Sequence, residues 1–112
     1  MLKIKPSDLR FRVTIEEKQR VQDANGIISE SWVDVATEIP AGVYALSGRE
    51  LIEMNQQVSQ YSARITIYKR ADIDEAMRIV FDGRNYDIID IIPDPTNEVY
   101  TTMMCKTGFV NG

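Results

Sequence analysis

The chain contains no histidine and one cysteine, Cys105. Without histidine it lacks the side chain that most often shuttles protons near neutral pH, and the commonest metal ligand. A single cysteine excludes an intrachain disulfide and fits a reducing compartment. No apolar run approaches the ~20 residues that a membrane-spanning helix needs. The opening Met1-Leu2-Lys3-Ile4-Lys5-Pro6 has no apolar core of the kind a secretory signal carries. Basic excess is missing too. Residues 1–56 hold 7 basic and 9 acidic side chains, residues 57–112 hold 6 and 8, and the net charge is −4. Proteins that grip phosphates through their surface usually show the opposite balance. The expectation is a soluble chain made and kept in the cytoplasm, with no general affinity for nucleic acid and no membrane contact.

What remains is an ordinary globular composition. In 112 residues, 44% are hydrophobic and 27% charged, enough to bury one core without a metal or disulfide staple. Alternation is the dominant signal. Leu9, Phe11, Val13 and Ile15 point one way, and Arg10, Arg12, Thr14 and Glu16 the other, as in a half-buried strand. Glu17 to Gln22 is polar and reads either as an extension of that strand beyond the core or as loop. Asp23-Ala24-Asn25-Gly26 is the strongest turn, with Asn-Gly suited to a type I′ hairpin. A returning strand runs from Ile27 to Val35 with Trp32 as its anchor. A separate strand follows within Ala36 to Ala45, which Pro40 and Gly42 place at a bulge or an edge. Later, Ala63, Ile65 and Ile67 alternate with Arg64, Thr66 and Tyr68. Asp72 to Met77 suits one turn of helix, with acids at its start. Asp82-Gly83-Arg84 joins a second hairpin. Ile88, Ile89, Ile91 and Ile92 are apolar on both faces and suggest a central strand. Val99, Thr101, Met103 and Cys105 form the last inward row.

Between these groups lies Leu46 to Tyr61, the longest stretch that is neither strand nor simple turn. Ser47 and Glu50 stand in capping-box register. Leu51, Met54 and Val58 make a thin apolar stripe, with Glu53, Asn55, Gln56, Gln57 and Ser59 on the other faces. A helix this short is marginal alone and depends on a partner. The predicted fold is mainly β: a small antiparallel barrel, closed or nearly so, with a small sandwich as the alternative, carrying a long loop with a short helix. A barrel domain spans residues 9–107 with the insert at 46–61, an N-terminal arm covers 1–8 and a flexible tail 108–112.

No catalytic constellation stands out. Cys105 has no histidine to activate it and reads as an inert core thiol. Ser47 lacks the surroundings of a nucleophile elbow. Asp72, Asp74 and Glu75 miss the calcium-loop pattern and read as a solvated helix start. No phosphate loop surrounds Gly83. Neither a catalytic residue, nor a metal site, nor a cofactor is expected. One binding arrangement stays open: Tyr68, Lys69, Arg70 and Arg78, with Tyr86 nearby, would suit a module for single-stranded nucleic acid. An enzyme of another kind is the third reading.

The order of the pieces resembles the head–tail joining proteins of tailed phages, also called head closure or stopper proteins. The resemblance rests on Leu9-Arg10-Phe11-Arg12-Val13-Thr14-Ile15, on Asp23 and Gly26 followed by Trp32-Val33-Asp34-Val35-Ala36, and on Leu46-Ser47-Gly48-Arg49-Glu50, similar to the family's PLSGRE with Ala45 in place of proline. It continues through Ile65-Thr66-Ile67-Tyr68-Lys69-Arg70, Ile73, Met77 to Ile88 and Cys105, over about residues 9–107. The resemblance implies a structural connector of the virion. Copies of the chain would form a ring, twelvefold ahead of sixfold, below the portal or adaptor protein of the head. The ring would close the DNA-filled head and dock a tail completion protein, and packaged DNA would meet it only in passing through the channel. It also implies that Leu46, Ser47, Gly48, Arg49, Glu50, Met54, Gln56, Gln57 and Gln60 lie on the channel loop and the contacts between copies. The departure at Ala45 bears on how rigid the entry to that loop is.

Overall fold

The computed structural model describes residues 4–46, 62–93 and 99–107. Six strands are present among them: β1 (Phe11–Gln22), β2 (Ile28–Ala45), β3 (Ala63–Tyr68), β4 (Arg78–Phe81), β5 (Arg84–Pro93) and β6 (Tyr100–Thr107). All neighbours are antiparallel, and the order β1-β2-β3-β6-β5-β4 closes on itself as a barrel. Closure removes the open sheet edges that a flat sheet of this size would expose.

The inward rows follow the predicted alternation except at Val99, which lies before β6 begins and is 42% exposed. Val13 and Ile15 from β1, Ile65 and Ile67 from β3, Ile79 from β4, Ile88 from β5, and Met103 and Cys105 from β6 are all buried and form one core. At ~0.8 kcal/mol per buried methylene this cluster supplies most of what holds the fold. Ile73 and Met77 pack against the same core. They lie in the β3–β4 connection, which crosses the barrel mouth because two strands lie between β3 and β4 on either side.

β2 is one strand where the sequence suggests two. Val13 pairs with Ile39 and Ile15 with Ala36, so two residues of β2 lie opposite one of β1. A second extra residue, Val35, lies between the Ile15–Ala36 and Glu16–Asp34 pairs. Glu38 takes a positive φ of 54° at the first of these bulges. Bulges bend a strand and raise its twist, so β2 curves around the barrel without being cut. Pro40 pairs with Arg12 inside it. Gly42 sits where the N-terminal segment crosses β2: an added Cβ would lie 3.0 Å from the Asp8 carbonyl oxygen and 3.0 Å from the Tyr44 ring. That segment is held by a single 3-10 turn over Pro6–Asp8, with the Lys5 N–H donating to the Asp8 carboxylate at 2.9 Å.

Both hairpin turns form, one of them differently from expectation. Asp82 (φ 53°) and Gly83 (φ 75°) are both left-handed, as a two-residue type I′ turn requires. At the first hairpin only Gly26 is left-handed (φ 83°). The Asp23 carboxylate accepts from the Asn25 and Ile27 N–H groups, both at 2.9 Å. These bonds add to two backbone bonds, Gly26 N–H to the Asp23 carbonyl and Asp23 N–H to the Ile27 carbonyl, both at 3.0 Å, and the loop between Asp23 and Ile27 holds three residues with glycine closing it. Asp72 to Met77 is a pair of turns and not a helix. The Asp74 carboxylate accepts from the Ala76 N–H at 2.9 Å, a local turn that competes with helix formation. The expected helix stripe of Leu51, Met54 and Val58 lies outside the described residues.

Trp32 is half-buried and stands outside the core cluster, whereas Ile65 has no exposed surface. The two large residues therefore predict different outcomes. Ile65→Ala should lower unfolding free energy by ~2–5 kcal/mol, and Trp32→Ala by clearly less. Denaturant titration of both variants checks the ranking.

Candidate functional site

The first candidate surface is the root of the β2–β3 connection. The last ladder pair is Ala45 with Ala63. One step beyond, the Leu46 N–H donates to the Ser62 carbonyl at 3.0 Å, and the Ser62 N–H donates to the Cys105 carbonyl at 2.7 Å. The Thr107 N–H donates to Ser62 Oγ at 3.1 Å. Leu46 also packs with Ile89 against Met104, which points out of the barrel yet is 1% exposed. Both ends of segment 47–61 are thus fixed side by side by backbone bonds and a small apolar cluster. Of the residues predicted for the channel loop, Leu46 lies at this root. Ser47, Gly48, Arg49, Glu50, Met54, Gln56, Gln57 and Gln60 lie outside the described residues.

The second surface is a feature the sequence left open. Among the described residues, β4 meets β1 only from Thr14 to Glu16, and β3 meets β2 only from Ala41 to Ala45. Beyond those pairs, Glu17–Gln22 and Ile28–Val33 continue as a two-stranded ribbon with no third strand. Val21, Ile27 and Ile28 at its tip are 47%, 62% and 54% exposed. At its base the Arg78 guanidinium lies 4.1 Å from the Trp32 ring centre, and Lys18 lies 5.3 Å from it. Arg78 Nε also donates to the Glu16 carboxylate at 2.7 Å, with both side chains largely covered. A charged pair in this geometry is stronger than a surface one, and it clamps the ribbon to β4. The signal for the ribbon was present in the strand length between turn residues. It was masked because a two-sided wet strand has no apolar alternation.

The basic and aromatic patch suggested by the sequence does not assemble. Tyr68 ends β3 and Arg78 begins β4, on opposite walls of the barrel. Arg70 holds Asp72 through two bonds of 3.0 and 2.9 Å. This pairing raises the Arg70 pKa and lowers that of Asp72, their mutual hydrogen bond being the main cause. Arg78 is occupied by Glu16 and Trp32, and Tyr86 is buried. Tyr68 stacks on Tyr100 with ring centres 5.6 Å apart. Residues held this way do not make a common surface for a nucleic-acid strand. Asp72, Asp74 and Glu75 form no metal-type cluster, and no group of three or more such ligands occurs among the described residues.

Comparison with known proteins identifies the whole assembly of strands. The model of the phage head completion protein family matches residues 4–108. The chain belongs to that family. This makes it a structural protein of the virion, a class that is not enzymatic. It is 27% identical over 110 residues to the head completion protein gp7 of Enterobacteria phage HK97, covering 94% of this chain and 97% of that one. The solution structure of protein SF1141 from Shigella flexneri 2a is similar with a TM-score of 0.75 and 31% identity, over 89% of this chain and 93% of the other. A chain in the virion of a native gene transfer agent particle shares the fold, with a TM-score of 0.56 and 17% identity over 84% and 89% of the two chains. The head–tail joining resemblance in the sequence and the family match agree.

Cys105 lies in the core with no exposed surface, and burial, with a smaller contribution from the Asp87 charge, pushes its thiol up to about 12. Thiolate is the reactive form. The native protein should therefore resist thiol reagents at pH 8, and labelling should appear only as denaturant unfolds it. Rapid labelling of the native chain, followed by mass spectrometry, would show that the core is open at β6.

Proposed function

We propose that this head completion protein is an architectural connector without turnover. Copies form a ring beneath the portal or adaptor of the filled head, close it, and present a surface to a tail completion protein. Segment 47–61 projects toward the channel, with Ser47, Gly48, Arg49, Glu50, Met54, Gln56, Gln57 and Gln60 in contact with DNA in passage or with neighbouring copies. The observation that carries this reading is the root of the segment. Leu46 and Ser62 are bonded to one another and to β6, so the segment springs from one fixed point of a barrel that is complete without it. A device that must change partners during assembly is best separated from the core that keeps the chain folded. The charge balance fits as well, since a conduit for DNA works better without strong phosphate contacts.

Two outcomes test the proposal. Heads assembled without this chain should join tails once the full-length protein is added. A variant lacking residues 48–58 should melt at nearly the same temperature yet fail to restore joining. Collapse of the fold on that deletion would assign the segment to the core instead.

The nucleic-acid reading has a simple measurement of its own. Binding of single-stranded DNA that falls steeply with salt, and weakens in a Lys69→Ala, Arg70→Ala variant, would favour a binding module. The expected result is no retention at moderate salt.

A further inference from the structure

The barrel eliminates sheet edges in its own wall, but the ribbon restores two. Glu17–Gln22 and Ile28–Val33 pair with each other and present their outer backbone groups to no other described strand. Unpaired edges of this kind are templates for another strand, and proteins usually block them. Here the blocking charges are sorted. The in-register pairs Lys18–Trp32, Arg20–Glu30 and Glu16–Asp34 place these side chains on one face of the ribbon. On that face the β1 edge carries Lys18 and Arg20, and the β2 edge carries Glu30 and Asp34. Glu16 is already held by Arg78. Lys18 and Glu30 approach within 3.5 Å in an exposed pair, whereas Arg20 and Asp34 make no ion pair among the described residues. The other face, with Glu17, Gln19, Val21, Ser29, Ser31 and Val33, carries no basic group, and its one acid, Glu17, accepts from Gln19 Nε2 at 3.0 Å. On the Lys18 face one edge is thus basic and the other acidic.

We propose that the ribbon is the contact between copies: the Lys18 and Arg20 edge of one copy adds as a strand to the Glu30 and Asp34 edge of the next. The occupant follows from three observations. The charges of the two edges complement each other, so each copy supplies what its neighbour lacks. The direction is also right. β1 and β2 run antiparallel within a chain, and copies related by rotation about an axis along the ribbon keep their directions. The β1 edge of one copy then meets the β2 edge of the next antiparallel. Finally, Val21, Ile27 and Ile28 would be covered by the same tips of the neighbours. Such a contact is heterologous and closes into a ring or extends, according to the rotation between copies. The inference rests on the ring reading and specifies its geometry. It does not involve the 47–61 segment.

Mixed copies provide the test. The variant Lys18→Glu, Arg20→Glu has two acidic edges, and Glu30→Lys, Asp34→Lys has two basic ones. Added singly to heads assembled without this chain, each should lose most of the tail joining that the wild type restores. An equimolar mixture should regain it, because acidic and basic ribbons alternate. An effect confined to the Lys18–Glu30 pair within one chain is not repaired by mixing. Thermal melts establish that each barrel is intact. If a double variant does not fold, Arg20→Glu and Asp34→Lys, neither of which breaks an ion pair, replace them. Single variants that join as well as the wild type, or a mixture of folded variants that does not recover, overturn the proposal. If the wild type itself restores no joining, the connector reading fails. The ribbon contact is then judged by native mass: association in the mixture but in neither variant alone supports it, and single-copy masses throughout overturn it.

Discussion

The structure depends on a short seam. β1 and β4 meet at three residue pairs, Thr14 with Val80, Ile15 with Ile79 and Glu16 with Arg78, and those pairs turn an open sheet into a barrel. At their centre two isoleucines have no exposed surface. At one end the Arg78–Glu16 bond sits where the ribbon departs from the wall. The bulges in β2 make this closure geometrically feasible, because a strand of this length must bend to pair with β1 on one side and β3 on the other. The core, the ribbon and the root of the 47–61 segment all inherit their positions from it.

How much of this was legible in the sequence varies with how much core each segment touches. β1 near Val13, β3 and β6 face the interior, and their period-two patterns declare them. Ile88 lies in the core, but the ladder shifts register at Ile89, which turns outward to Met104. That shift explains why β5 is apolar on both faces. The ribbon was ambiguous because wet strands carry no alternation. The continuity of β2 was hidden because a positive φ at Glu38 leaves no mark in residue type. At Asp72 to Met77 local hydrogen bonding by Asp74 prevailed over a weak helical composition. For the candidate site, the sequence identified the segment after Leu46 as exceptional through its break in strand pattern, and the structure supplies its anchorage. Spacing alone allowed Tyr68, Lys69, Arg70 and Arg78 to gather into one patch. Only the strand order sets β3 and β4 apart.

Membership of the head completion family places the chain in a virion, and the molecule has a corresponding division of labour. One part keeps the chain folded, with the apolar interior shared by all six strands. The ribbon faces outward, and it leaves the barrel at a point fixed by the Arg78–Glu16 bond. Such separation lets an outward surface adapt to partners while the interior stays constant, since no residue from Glu17 to Val33 belongs to the buried cluster.

One consequence follows from β2 being unbroken from the ribbon tip to Ala45, beside the root of segment 47–61. Tension between those two places would run along the strand, while its ladder bonds to β1 and β3 lie across it. The load would then be shared by many bonds in shear and would not peel them open one at a time. A single strand joining two distant attachment points behaves as a tie-rod, and a joint built of such rods yields only when the whole ladder slides.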